Sequence, residues 1–305
     1  MKNVMVRMDE LLKSILPPEV AQKLQNGESV EPKFYDSITV YFSDIVQFTK
    51  LASNSTPLEV VNFLNALYTM FDKVVEKYDV YKVETIGDAY MCASGLPRPN
   101  GDKHAAEIAR LSLTLLRAIQ SFVIPHRPKQ ALKIRIGVNS GSVMAGVVGL
   151  KMPRYCLFGD AVNVASRMES TGMANMIQAS ETTIRILEDE FPGEFSYELR
   201  GETEVKGKGL MKTYWIYDAT NLATMPTPSP SSPSSQMADQ HMPIITPQPP
   251  IPGDHTASYL VHSGRGEDTA APDYLKHPNF NNEEVRKFSL RFFSDLPEGS
   301  IVRTG

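Results

Sequence analysis

The order of strand and helix signals predicts an α+β domain on a β-α-β-β-α-β core of ferredoxin-like type, followed by a long tail without a fold of its own. Three observations carry that prediction. Over the first 218 residues, stretches with apolar residues at period two alternate with stretches at helical spacing. Turn and cap residues fall between them. Proline is also uneven: of 22 in 305 residues, nine lie between Pro226 and Pro252, among Ser, Thr and Gln. A segment of that composition buries too little apolar surface to fold. The expected division is therefore an N-terminal helical segment over 1–27, a folded domain over 28–218 and a mostly disordered tail over 219–305.

Each element has its own signal. Met8, Leu11, Leu12, Ile15 and Leu16 form one helical stripe, which Pro17-Pro18 ends because proline donates no helical hydrogen bond. That stripe fits a surface helix or the end of a dimerising helix. A second short helix over Glu19–Leu24 stops near Asn26-Gly27. Ile38, Val40 and Phe42 alternate with Thr39 and Tyr41, a strand pattern. Thr56-Pro57-Leu58-Glu59 then spells a capping box with proline in the first turn, and Phe63, Leu64, Leu67, Met70, Phe71 and Val74 continue that helix. Val80–Val83 and Ala89–Ala93 read as a hairpin across Thr85-Ile86-Gly87-Asp88. His104–Phe122 is a second long amphipathic helix. Leu132–Val138 and Val143–Val148 read as two strands turning at Asn139-Ser140-Gly141-Ser142. A helix over Asp160–Ser170 and strands at Phe195–Leu199 and Thr213–Tyr217 complete the domain.

Composition removes several function classes. A net charge of −4 offers no basic footprint for nucleic acid. Cys92 and Cys156 are the two cysteines, too few for a disulfide scaffold and suited to a reducing compartment. The first residues lack the apolar core of a signal peptide. No apolar run reaches the ~18 residues of a membrane-spanning helix.

The chemistry sits at strand and helix ends. Asp44 just after one strand and Asp88 at the hairpin tip would converge if those strands are neighbours. Two carboxylates so placed suit a magnesium site on a nucleotide, because Mg²⁺ takes hard oxygen ligands. Aspartate is also a common turn residue, and the pair alone fits that role too. On the helix from Asp160, Asn163 and Arg167 share a face, four residues apart. An amide and a guanidinium aimed together suit a sugar oxygen and a phosphate oxygen, and equally a plain solvated face.

Five segments then occur in order: Phe42-Ser-Asp-Ile-Val-Gln-Phe-Thr49, Tyr81-Lys-Val-Glu-Thr-Ile-Gly-Asp-Ala-Tyr-Met91, Met152-Pro-Arg-Tyr-Cys-Leu-Phe-Gly-Asp160, Asn163-Val-Ala-Ser-Arg-Met168 and Val205-Lys-Gly-Lys-Gly209. Together they resemble the catalytic domain of class III nucleotide cyclases, most closely the receptor-type guanylate cyclases, over about Met8–Asp218. The resemblance implies that Asp44 and Asp88 bridge two divalent cations, Mg²⁺ or Mn²⁺, with the Ile45 carbonyl as a further ligand. It implies that the amides of Phe48 and Thr49 and the Lys206 side chain bind the phosphates of GTP. Asn163 would orient the ribose and Arg167 would meet charge on the α-phosphate. Glu84 and Cys156 match the guanine-selecting pair, where adenylate cyclases usually carry Lys and Asp. In the family the metal residues and the Asn/Arg pair come from opposite subunits, which implies a head-to-tail homodimer with two equivalent sites. The implied location is the cytoplasm, or the cytoplasmic face of the plasma membrane if the chain is a piece of a receptor cyclase.

Two positions depart from the family pattern: Gln47 where Gly is usual and Ala161 where Thr is common. Other readings are a nucleotide-binding regulatory subunit of a heterodimeric cyclase and an adenylate cyclase. In the tail, Pro230-Ser-Ser-Pro233 and Pro247-Gln-Pro-Pro250 read as linker. Val285, Phe288, Phe292 and Leu296 predict a short amphipathic helix over 282–296, able to dock on a partner or a membrane surface.

Overall fold

A 15-residue strand, Ile134–Val148, lies inside the sheet and pairs with three other strands. The computed structural model describes Leu12, residues 15–149, 153–205 and 207–218. All belong to the first of two units into which the chain divides, Met1–Met225 and Pro226–Gly305. Most of the predicted Met8–Leu16 helix, Lys206, the tail and its 282–296 helix lie outside the described residues.

In chain order the elements are α1 (Pro18–Gln25), β1 (Lys33–Ile45), α2 (Phe48–Ser53), α3 (Pro57–Val75), β2 (Tyr81–Ile86), β3 (Ala89–Ser94) and α4 (Lys103–Ser121). They continue as β4 (Ile134–Val148), β5 (Arg154–Phe158), α5 (Asp160–Ser170), β6 (Ile177–Ser180), α6 (Glu181–Glu190), β7 (Phe195–Val205) and β8 (Gly209–Asp218). The strands form one sheet in the order β2-β3-β1-β4-β6-β8-β7. β1 pairs with β4 antiparallel from Lys33↔Ala145 to Ile45↔Ile134. Along its other edge β4 takes β6 in parallel at 136–138 and β5 antiparallel at 144–148.

The centre of the sheet is covered on both faces, so residues 38–41 of β1 are buried on both sides, Thr39 included. One face packs Tyr41, Ile136 and Val138 against Phe63, Leu67 and Phe71 of α3, Leu111 and Leu115 of α4, and Leu187 of α6. The other packs Ile38, Val40, Val143 and Ala145 against Ala21 of α1 and Ala161 and Ala165 of α5. The predicted capping box closes α3: Thr56 Oγ1 accepts from the Glu59 N–H at 3.3 Å, and Glu59 Oε2 accepts from the Thr56 N–H at 2.7 Å.

The predicted turn at Asn139–Ser142 is absent, and the two strands flanking it are one strand, β4. Its turn-forming residues have other uses. Asn139 Nδ2 donates to the Ala161 carbonyl at 3.0 Å, and the Ser140 hydroxyl meets Thr39 Oγ1 at 2.7 Å. A Cβ at Gly141 would lie 3.1 Å from that of Ala161, and one at Gly137 would lie 1.9 Å from the Glu169 backbone nitrogen. The glycines let α5 lie directly on β4.

Candidate active site

The two aspartates meet because of strand order. β3 pairs with β1 as far as Ser43↔Tyr90, and β2 and β3 join through the two residues Gly87 and Asp88. The hairpin tip therefore comes beside the end of β1. Asp44 lies inside β1, opposite Arg135, rather than just after the strand. The Asp88 carboxyl lies close to the Asp44 carboxylate, near the backbone N–H of Ile45. Burial, and then the Asp44 carboxylate, push its pKa up to about 7. Asp44, Ile45 and Asp88 thus gather at one point. Among the described residues no three His, Cys, Asp or Glu side chains cluster as a metal site. A cation here would rest on two carboxylates, backbone oxygen and oxygens of a ligand. Such a hard-oxygen donor set, with two acidic groups crowded together, fits Mg²⁺ or Mn²⁺.

Two charged residues that the motifs do not flag complete this corner. Arg135 Nη2 donates to Asp44 Oδ2 at 3.0 Å, and its Nε donates to Glu169 Oε1 at 2.9 Å. Glu169 is buried at the end of α5. Burial pushes its pKa up to about 7, against the pull of Arg135. The Arg135 guanidinium thereby links the carboxylate corner to the helix that carries Asn163 and Arg167. An arginine between Ile134 and Ile136, inside a strand pattern, is the one signal of it in the sequence.

The second predicted pair also comes together. β5 lies near β2, and the Tyr81 and Tyr155 rings meet edge-on at 5.7 Å between centroids. Burial raises the Cys156 thiol pKa, and the nearby Glu84 carboxylate raises it further. Arg154 Nη1 approaches Glu84 Oε2 at 4.0 Å, with both side chains partly in solvent. Glu84, Cys156 and Arg154 thus offer an acceptor, a thiol and a guanidinium in one place.

The remaining candidates lie around these two groups. Gln47 adopts the left-handed conformation (φ 60°, ψ 32°) ahead of α2. Phe48 and Thr49 open that helix, so their amides have no partner within it. Asn163 and Arg167 are both exposed on α5, while Ala161, Val164, Ala165 and Met168 are buried. Among the described residues no hydrogen bond or ion pair joins Asn163 or Arg167 to the Asp44–Asp88 corner. Lys206 lies outside the described residues. Its neighbour Lys208 donates to Asp160 Oδ2 at 2.7 Å, which ties that turn to the start of α5.

This arrangement has counterparts. Residues 30–218 match the family described as the adenylate and guanylate cyclase catalytic domain. The chain belongs to this cyclase family. Human (Homo sapiens) atrial natriuretic peptide receptor 2 is 59% identical over 210 residues, which are 69% of this chain and 20% of the receptor. The chain thus spans about a fifth of the length of such curated relatives. Among solved structures, the guanylate cyclase domain of RhGC from Catenaria anguillulae in complex with GTP is 41% identical, with a TM-score of 0.58. That match covers 61% of this chain and 98% of the other. The catalytic core of a rhodopsin-guanylyl cyclase with converted specificity, in complex with ATPαS, is 40% identical with a TM-score of 0.58. It covers 62% of this chain and 98% of the other. The α+β fold is the cyclase fold.

Proposed function

We propose that this cyclase domain converts GTP to 3′,5′-cyclic GMP and pyrophosphate, as a head-to-tail homodimer with two equivalent sites. The observation that carries the reading is the nearness of Glu84, on the same hairpin as Asp88, to Cys156 of β5. A carboxylate accepts from the N1–H and 2-amino group of guanine. Adenine presents an acceptor at N1 and would leave Glu84 unpaired, at about 1–3 kcal/mol. The relative with converted specificity is in complex with ATPαS, which supports base choice as a property separable from the fold.

In the reaction, the ribose 3′-oxygen forms a bond to the α-phosphorus and loses its proton. The bond from that phosphorus to the α–β bridging oxygen breaks, and pyrophosphate leaves. Two divalent cations, when bound, would activate the 3′-hydroxyl and neutralise the triphosphate. Asp44 and Asp88, with the Ile45 carbonyl, would hold them. The amides of Phe48 and Thr49 and the Lys206 ammonium would bind phosphate oxygens. Asn163 would orient the ribose, and Arg167 would supply positive charge where the α-phosphate gains negative charge. The exposed Asn163 and Arg167 serve a site only when a second copy lays its Asp44–Asp88 corner against them. Free Cys92 and Cys156 suit the reducing cytoplasm, the proposed location. No described helix is long and apolar enough to cross a membrane.

The test is to incubate the chain with Mn²⁺ and either GTP or ATP and to measure cyclic product. Cyclic GMP in clear excess over cyclic AMP is expected. A folded dimer that makes neither would overturn the proposal. Glu84→Lys with Cys156→Asp should shift preference toward ATP, and a double variant still faithful to GTP would refute the base-choice argument.

A further inference from the structure

Asp88 occupies the second position of a two-residue turn, a poor place to hold a ligand with precision unless something braces the turn. The structure shows a brace. The Tyr68 hydroxyl donates to the Gly87 carbonyl at 2.8 Å, 19 residues away in sequence. That carbonyl and the Asp88 N–H belong to one peptide unit, which is planar. Holding the carbonyl therefore fixes the plane from which the Asp88 Cα projects.

The tyrosine is itself well fixed. Its ring packs on Tyr90 with centroids 5.6 Å apart and on Phe71 at 6.4 Å. Burial and the Asp88 and Asp44 carboxylates push its hydroxyl pKa up, so it stays a donor at working pH. One turn further along α3, Asp72 accepts from Lys82 Nζ at 2.8 and 3.0 Å and from the Tyr90 hydroxyl at 2.6 Å. Asp72 anchors the root of the β2–β3 hairpin, and Tyr68 anchors its tip.

We propose that Tyr68 is a positioning residue for the cation site, acting through the Gly87–Asp88 peptide. This rests on the reading of Asp88 as a cation ligand. The Tyr68→Phe change keeps the ring and removes only the donor. Loss of one neutral hydrogen bond corresponds to about a 2- to 10-fold change in an equilibrium that depends on it.

The experiment titrates Mn²⁺ into the full chain with a GTP analogue whose α–β bridge is methylene, reading free Mn²⁺ by electron paramagnetic resonance. Tyr68→Phe should weaken Mn²⁺ binding by about 2- to 10-fold. The half-saturating Mn²⁺ for cyclisation of GTP should rise in parallel. The control is Tyr78→Phe, which removes a hydroxyl bonded to Thr114 Oγ1 of α4 at 2.7 Å, at the other end of the hairpin from its Gly87-Asp88 tip. It should leave Mn²⁺ binding in place. Equal Mn²⁺ affinity in Tyr68→Phe and the parent chain would overturn the inference. So would equal weakening in both variants, which would mark a general loss of packing. A parent chain that binds no Mn²⁺ would overturn the reading of the site, and the inference with it.

Discussion

Gln47 holds a conformation that its side chain disfavours, at the point where the chain leaves β1 for α2. At φ 60° and ψ 32° its Cβ crowds the following carbonyl, a cost of about 1–2 kcal/mol for any residue but glycine. Family members usually place Gly there, so this chain retains the strain. Gln47→Gly should raise stability by about 0.5–1 kcal/mol, because relief of strain is partly offset by the greater freedom of glycine in the unfolded chain. The measurement is urea denaturation, with the midpoint moving up at unchanged slope. A midpoint that falls would mean that the glutamine side chain makes compensating contacts. Arg135 raises a different question at the same scale. Its two partners, Asp44 and Glu169, come from β1 and α5, so one side chain reports on the spacing of both elements.

The seat of α5 decides where Asn163 and Arg167 point. Gly137 is the tightest contact of that seat, because a methyl group in place of its hydrogen would fall only 1.9 Å from the Glu169 backbone nitrogen. No rotamer relieves such a clash with backbone. Gly137→Ala should therefore cost about 3 kcal/mol or more, at the upper end for overpacking, and should lower GTP turnover by lifting α5. Thermal unfolding and a cyclic GMP assay check the two effects, and a variant with unchanged stability would show that α5 can shift freely. Much of this element is legible in the sequence: the span Asp160–Ser170 follows from its periodicity, and Asn163 and Arg167 fall on its exposed side. The strand beneath it is not. Asn139, Ser140 and Gly141 carry turn signals in the sequence, yet each serves a long-range contact with β1 or α5 that no local pattern reveals. The short elements α2, β5, β6 and α6 escape the sequence pattern for a related reason. The four residues of β6 are all buried and show no alternation to read. At the candidate site, Asp44, Asp88, Glu84 and Cys156 are legible because they sit in compact motifs. Arg135, Glu169 and Tyr68 are not, since their roles come from pairing across the fold.

Across the whole molecule, a buried polar chain joins four elements. His104 of α4 meets Ser37 at 3.0 Å and Thr39 at 2.7 Å; Thr39 meets Ser140, and Ser140 meets Thr183 of α6 at 2.9 Å. Burial lowers the His104 pKa from its ordinary 6.5, against the pull of Asp102. The unfolded chain takes up a proton near 6.5 while the folded ring still resists, so protons favour unfolding. Stability is full above that value and is lost as pH falls through the lower folded one. Asp88 and Glu169, each raised to about 7, pull the other way, because the folded chain takes up those protons first. The His104 part therefore shows in a difference: below about pH 6.5 the melting temperature of the parent should fall relative to that of His104→Asn, and pH profiles of equal shape would remove His104 as a cause. In the proposed homodimer one chain carries two halves of different sites. Asp44→Ala should abolish activity through the cation corner, and Arg167→Ala through α5, while each leaves the dimer intact. In a head-to-tail dimer, mixing the two variants makes heterodimers in which one site carries both defects and the other carries none. Random exchange of equal amounts makes about half of the dimers mixed, each with one working site, so cyclic GMP production should recover to about a quarter of the parent level. If Asp44 and Arg167 instead served one site within a single chain, every site in every dimer would carry one defect, and mixing would restore nothing.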